Sequence, residues 1–236
     1  MGNEHISKRF DAELEGLRSR VLQMGGLVEQ QIMRAMEVLS YGDIALADQV
    51  IADDHRVNAM EVGIDDDCTH IIARRQPTAS DLRMVMAVVK TITDLERIGD
   101  EAQKIARMAK QLHQSGARMN HQLADVRYAC NITLDMIKTS LDSFARLDVS
   151  GATKVVQQDA EVDARFRAIL RQLVTFMMED PRTISSSIDI LFIAKAIERI
   201  GDHAKNMSEY VVYLVKGKDV RHVTTEELVK VATSAD

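Results

Sequence analysis

The 236-residue chain carries a net charge of −6, is 46% hydrophobic and 28% charged, and holds only 2 Pro, 4% aromatics and no Trp. That length supports one large core or two smaller ones. The composition, with 13 Met beside the aliphatic residues, favours packed helices over strands, which enrich in aromatic and β-branched side chains. An acidic balance with no basic run of five or more argues against a general nucleic-acid binder.

The opening MGNEHISKRF lacks the apolar stretch of a secretion signal. Ile6 stands where a myristoylation pattern needs Ser or Thr. No apolar run approaches the ~20 residues of a membrane span, so the expected location is cytoplasmic. Cys68 and Cys130 sit inside helical patterns and read as reduced core residues of such a protein.

In chain order, Phe10, Leu14, Leu17, Val21, Met24 and Val28 recur at alternating four- and three-residue steps, which predicts a long helix ending near Gly42. A second helix runs from about Asp43 to Arg75, with Val50, Asp54, Val57, Glu61, Ile64 and Cys68 on one stripe. Pro77 stops it, and Thr78-x-x-Asp81 reads as the cap of a third helix carrying Leu82, Val85, Val89, Ile92, Glu96 and Gly99. HQSGARMN, His113 to Asn120, is the clearest linker.

Then the pattern restarts. A helix spans about Gln122 to Leu147, and DVSGAT, Asp148 to Thr153, reads as a turn. The next helix carries Val155, Asp159, Val162, Phe166, Ile169 and Leu173. Pro181 breaks it, Ser186-x-x-Asp189 reads as a cap, and the last core helix carries Leu191, Ala194, Glu198 and Gly201. The period is near 105 residues. The expected architecture is therefore all-α, with six long helices in two tandem three-helix bundles over 1–115 and 120–217. A polar tail over 218–236 is expected to be loosely held, with a short helix capped by Thr224-x-x-Glu227.

One pentapeptide is conspicuous. ERIGD occurs at Glu96–Asp100 and again at Glu198–Asp202. A mid-helix Gly costs about 1 kcal/mol against Ala, and like charges four residues apart repel. Each preceding helix carries a matching pair: Asp54 with Asn58, and Asp159 with Asp163. Antiparallel helices joined by a short turn bring residues equidistant from the turn to one height. Asn58 and Glu96 each lie 19 residues from Pro77, and Asp54 and Asp100 each lie 23. Around Pro181 the distances are 18 and 17 for Asp163 and Glu198, and 22 and 21 for Asp159 and Asp202.

Each half is thus expected to face acid or amide oxygens across two helices, a conflict that a multivalent cation resolves. Gly99 and Gly201 would allow close approach. An all-oxygen set suits Mg²⁺, Mn²⁺, Ca²⁺ or iron, and Asn58 in place of an acid predicts weaker binding in the first half. His203, whose counterpart is Glu101, reads as a surface residue. The competing view is that these carboxylates simply pair with Arg97, Arg199, Lys104 or Lys205.

The arrangement resembles the PhoU family of phosphate-transport accessory proteins. The likeness rests on DLERIGDEAQKIA (Asp94 to Ala106), AIERIGDHAKNMS (Ala196 to Ser208) and ASDLRMVMAVVK (Ala79 to Lys90). It covers the chain to about Gly217. The resemblance implies a cytoplasmic, dimerising, non-catalytic protein that binds metal, iron or zinc in some members, at these acidic motifs. By position Glu96, Asp100, Glu198 and Asp202 inherit the ligand role. It also implies a link between the phosphate ABC transporter with its ATPase and a membrane sensor histidine kinase, keeping the phosphate response off when phosphate is plentiful.

Two other classes compete. A carboxylate-bridged metal enzyme in a bundle needs Glu-x-x-His motifs, and none occurs. A metal-free structural bundle remains open at this level. No phosphate loop, H-E-x-x-H, H-R-D or D-F-G motif is present, so neither nucleotide binding nor kinase activity is expected.

Overall fold

The computed structural model describes residues 8–116 and 123–234, and among these the chain is helical with no strand. Six long helices follow one another: α1 (Lys8–Tyr41), α2 (Ile44–Arg75), α3 (Ala79–Gln114), α4 (Leu123–Arg146), α5 (Val149–Glu179) and α6 (Ile184–Lys216). A short α7 (Thr225–Thr233) closes the chain. The last part of the expected linker, and the expected start of α4 at Gln122, lie outside the described residues.

Turns form where backbone chemistry demands them. Gly42 at φ 74° ends α1, and the Asp43 carboxylate caps α2 by accepting from the Leu46 amide at 3.0 Å. Thr78 stands at the N-cap of α3, but its hydroxyl donates to the Asp81 carboxylate at 3.2 Å instead of accepting from the helix backbone.

Two expected turns differ. Asp148 caps α5 at once, accepting from Ser150 N at 2.9 Å, so most of DVSGAT is already helix. After Pro181, a 3-10 turn over Pro181–Thr183 is capped by Asp180, and α6 begins at Ile184. Ser186 therefore lies inside the helix, where its hydroxyl donates to the Thr183 carbonyl at 3.0 Å.

The α1 stripe is buried as read, from Leu14 through Val28, and continues through Ile32, Ala35 and Val38. Val50, Val57, Ile64 and Cys68 of α2, and Val155, Val162, Ile169 and Leu173 of α5, are buried as well. Both cysteines are free and buried, and burial pushes each thiol up to about 12. The reading fails in part on α3: Leu82 is exposed and Val89 only half-buried, while Ala87, Val88, Leu95 and Ile98 are buried. The reason is tertiary. Helix α3 packs on α1, α2 and α6 together, so its buried surface is wider than one stripe.

The two bundles are joined chiefly by α3 against α6, the two motif-bearing helices, with α1 touching α4 beside them. The tail is packed rather than loose. Its helix α7 has both bonds of the Thr224–Glu227 capping box and rests on α5 and α6 with Leu228 buried; Val220 before it is buried too.

Candidate functional site

The two ERIGD segments sit mid-way along α3 and α6, each facing the preceding helix of its own bundle. In the first half Gly99 explains itself by what lies over it. A Cβ there would stand 3.2 Å from Gln31 Oε1, 3.4 Å from Asp54 Oδ1 and 3.4 Å from Val57. Gln31 of α1 and Asp54 of α2 are both 6% exposed. Both amide atoms of Gln31, and Oδ1 of Asp54, are buried with no hydrogen bond of normal geometry. The other Asp54 oxygen accepts from Asn58 Nδ2 at 3.5 Å.

The spacing argument brings these acids together. Burial holds the Asp54 carboxyl above its ordinary range, and the Asp100 charge raises it further, while the neighbouring Gln31 and Asn58 amides temper the rise. Glu96 is raised by burial first, then by Asp100, Glu61 and Asp54, with Arg97 opposing. Glu61 was read only as a stripe position, yet it belongs to the same field. Asp100 and Asn58 are exposed at the rim. Among the described residues no ion pair reaches Asp54, Glu61, Glu96 or Asp100.

The second half is built alike but populated differently. Burial and the charges of Glu198, Asp159 and Asp163 push the Asp202 carboxyl up to about 6. Its neighbours, however, hold cations. Lys205 donates to Asp159 at 2.7 Å, and Lys195 reaches both Glu198 oxygens at 2.6 Å. The Lys195 ammonium also lies 5.3 Å from the Phe166 ring centre. Asp163 pairs along its helix with Arg167 at 3.7 Å. A Cβ at Gly201 would meet only the methyl of Thr133, Val162 and Met136, at 3.4 to 3.8 Å.

As the side chains stand, no three His, Cys, Asp or Glu groups among the described residues close on a single point fit for a metal. The buried polar pair under Gly99 is Asp54 with Gln31, beside Glu96 and Asp100. Gln31 escaped sequence reasoning, although the four- and three-residue steps of α1 place it next in line after Val28. A polar residue in an apolar stripe was the available signal.

His203 is corrected. It is buried, not a surface residue, and its Nδ1–H donates to Asp94 Oδ1 at 2.7 Å across the α3–α6 interface. Asn206 adds a second donor to Asp94 at 3.3 Å. Its repeat counterpart Glu101 is buried in the same interface and accepts from Arg199 at 2.6 Å. So Arg199 serves the inter-bundle contact rather than the acid cluster.

The PhoU domain family model matches residues 21–109 and again 126–211. The chain is 48% identical over 238 residues to the phosphate-specific transport system accessory protein PhoU of Serratia marcescens, covering 99% of this chain and 96% of that one. It is 47% identical over 234 residues to the protein of that name from Escherichia coli strain K12, with the same coverage. A crystal structure of PhoU from Pseudomonas aeruginosa superposes with a TM-score of 0.85 at 48% identity, covering 89% of this chain and 100% of that one. One of a phosphate transport system regulatory protein PhoU from Streptococcus pneumoniae superposes with a TM-score of 0.82 at 29% identity, covering 89% of this chain and 99% of that one.

Proposed function

The chain belongs to the PhoU family, and from that membership we propose that it is a regulatory accessory protein of phosphate transport. In this reading it couples the phosphate ABC transporter, through its ATPase, to a sensor histidine kinase and keeps the phosphate response off when phosphate is plentiful. It acts from the cytoplasm, as a homodimer, by binding partners rather than by catalysis. The observation that carries the reading is the family match to both halves, with near-full-length relatives at almost half identity. No helix among the described residues is long and apolar enough to cross a membrane, which agrees with a partner that meets the transporter from outside the bilayer.

Metal binding at the acidic motifs is part of the proposal. Its support is physical: the buried side chains of Gln31 and Asp54 lie under a glycine, beside a Glu96 carboxyl that burial first, and then the charges of Asp100, Glu61 and Asp54, push toward protonation. Asp54, Glu96 and Asp100 would hold a hard di- or trivalent ion such as iron, Mg²⁺ or Mn²⁺, with Zn²⁺ a poorer match to oxygen donors. Glu198, Asp202, Asp159 and Asp163, with Asn58, are the other candidates. The ion would supply charge compensation to the cluster, and Glu96 and Asp100 would need to turn inward to complete it.

The test of the regulatory role is a pull-down of the tagged full chain from cells grown at high and low phosphate. Recovery of the transporter ATPase and a sensor kinase at high phosphate is the expected result. Recovery of neither, with the response still silenced, would reject it.

A further inference from the structure

We infer that the chain self-associates through the tip of the α5–α6 hairpin, where an exposed apolar ladder and two opposite charges, Arg171 and Glu179, fit a second copy of the chain across a two-fold axis. The inference rests on the proposed homodimer and assigns its face.

Exposed apolar side chains concentrate at this tip. Sixteen large hydrophobic residues are exposed among the described residues, and five of them fall between positions 174 and 192: Val174, Met178, Ile184, Ile188 and Phe192. Such a concentration marks an interaction surface. The three on α6 recur every four residues, so they follow one side of the helix for about 12 Å. Equal distance from Pro181 sets α5 beside them: Met178 and Ile184 each lie three residues from it, and Val174 and Ile188 each lie seven. The repeat itself does not demand this ladder. The first-bundle counterparts of Val174 and Met178, 105 residues earlier, are Thr69 and Ala73. That of Phe192, 102 residues earlier, is Lys90, whose ammonium lies 5.5 Å from the ring centres of Tyr210 and Tyr213 in its own chain. Only Ile184 and Ile188 have counterparts that are large, apolar and exposed, Leu82 and Met86.

The charges choose the occupant. Arg171 and Glu179 are both exposed, and among the described residues neither makes an ion pair. They bracket Val174 and Met178, two turns apart on α5. A two-fold axis at the level of Thr175 and Ile188, perpendicular to the helices, lays a second hairpin tip on the first, end for end. Arg171 then comes level with Glu179 of the second copy, and Glu179 with its Arg171, as an isologous contact requires. Ile184 comes level with Phe192 of the second copy, and Ile188 with itself. The overlap also keeps the acids apart. Asp163 and Glu198 lie eleven and ten residues further from Pro181 than Val174 and Ile188 do, about 15 Å of helix. Neither copy's acid cluster therefore reaches the other's, which matters for a chain of net charge −6, since like charges across an interface oppose association. The tail leaves the tip open: at the far end of α5, Thr233 of α7 shares a cleft with Val149 and Thr153.

The experiment is sedimentation velocity of the full chain over a series of micromolar concentrations. The variants are Ile188→Glu with Phe192→Glu, the counterpart pair Leu82→Glu with Met86→Glu, Arg171→Glu, Glu179→Arg, and the last two combined. All these side chains are exposed, so thermal melts are expected to show each variant folded. The wild type is expected to dimerise, and the Ile188 and Phe192 pair to weaken the dimer at least tenfold. Each single charge reversal is expected to weaken it about tenfold, since it sets like charges together twice, and the combined reversal to restore it. The Leu82 and Met86 pair is expected to leave it unchanged. A dimer that survives the Ile188 and Phe192 pair, or a combined reversal no better than the single ones, overturns the inference while leaving the homodimer reading intact. A wild-type chain that stays monomeric overturns both. If that monomer pellets with phosphatidylglycerol vesicles, or recovers the transporter ATPase, only while Ile188 and Phe192 are intact, a lipid surface or a partner protein takes the place of the second copy.

Discussion

His203 Nδ1 lies 2.7 Å from Asp94 Oδ1, and both side chains are at least nine-tenths buried although 109 residues separate them. The bond ties α6 to α3 where the two repeats meet. Removing the imidazole leaves a buried carboxylate with only Asn206 and the Tyr210 hydroxyl as side-chain donors among the described residues. His203→Ala is expected to destabilise the fold by about 3 kcal/mol, the lower end for breaking a buried pair, measured by urea unfolding. Loss of less than about 1 kcal/mol would mean that the pair is as cheap as a surface contact.

The two ERIGD glycines predict opposite consequences for the same change. At Gly201 an added Cβ meets only ordinary van der Waals neighbours, the nearest at 3.4 Å. Gly201→Ala should therefore stabilise the chain by up to about 1 kcal/mol through helix propensity, read as a higher melting temperature. At Gly99 the same Cβ presses on Gln31 Oε1 at 3.2 Å. Gly99→Ala should gain less stability than Gly201→Ala, read in the same melts, because the buried Gln31 amide must give way.

Glu209 of α6 gives a pH dependence. Burial pushes its carboxyl from 4.5 up to about 7, against the pull of Lys205, with Asp159 and Asp219 adding and Arg221 opposing. Asp202 rises likewise from 3.8 to about 6. Both groups hold a proton to higher pH when folded than when unfolded. Their contribution is therefore complete below about pH 4 and lost as pH rises through about 6 to 7. Calorimetry of the metal-free chain should show a higher melting temperature near pH 5 than near pH 8. Glu209→Gln should flatten the upper part of that decline, and an unchanged profile would remove Glu209 as its source.

The tail supplies a fourth test. Leu228 of α7 is 1% exposed and α7 rests on α5. Leu228→Ala should cost about 2 kcal/mol, at the low end for a buried leucine because a terminal helix can settle into the space. An unaltered unfolding midpoint would show that the segment beyond Gly217 is held loosely after all.

The helices, most of their boundaries and the α1, α2 and α5 faces were legible because they depend on near neighbours. Periodicity reports which side of a helix is apolar, and Asp43 and Thr224 cap in place because a cap needs only residues two or three positions on. The height matching about Pro77 and Pro181 worked for the same reason: a short turn and a fixed rise per residue leave little freedom. The missed starts at Asp148 and Ile184 are local as well. There a nearer aspartate, or a 3-10 turn, outcompeted the expected signal.

His203 and Glu101 were not legible in that way, because their burial comes from a second face of α3 and α6 that meets only when the bundles dock. A single stripe per helix cannot announce two packed faces. Likewise sequence placed three carboxylates and an amide in the first half and four carboxylates in the second, but not their counter-charges. Whether a lysine reaches a carboxylate depends on where two long side chains meet in space. So the chain's own pattern determined the repeat, the helices and the level of the acids; only the docking of α3 on α6, and where Lys195 and Lys205 reach, decided which buried groups pair and which carboxylates find a counter-charge.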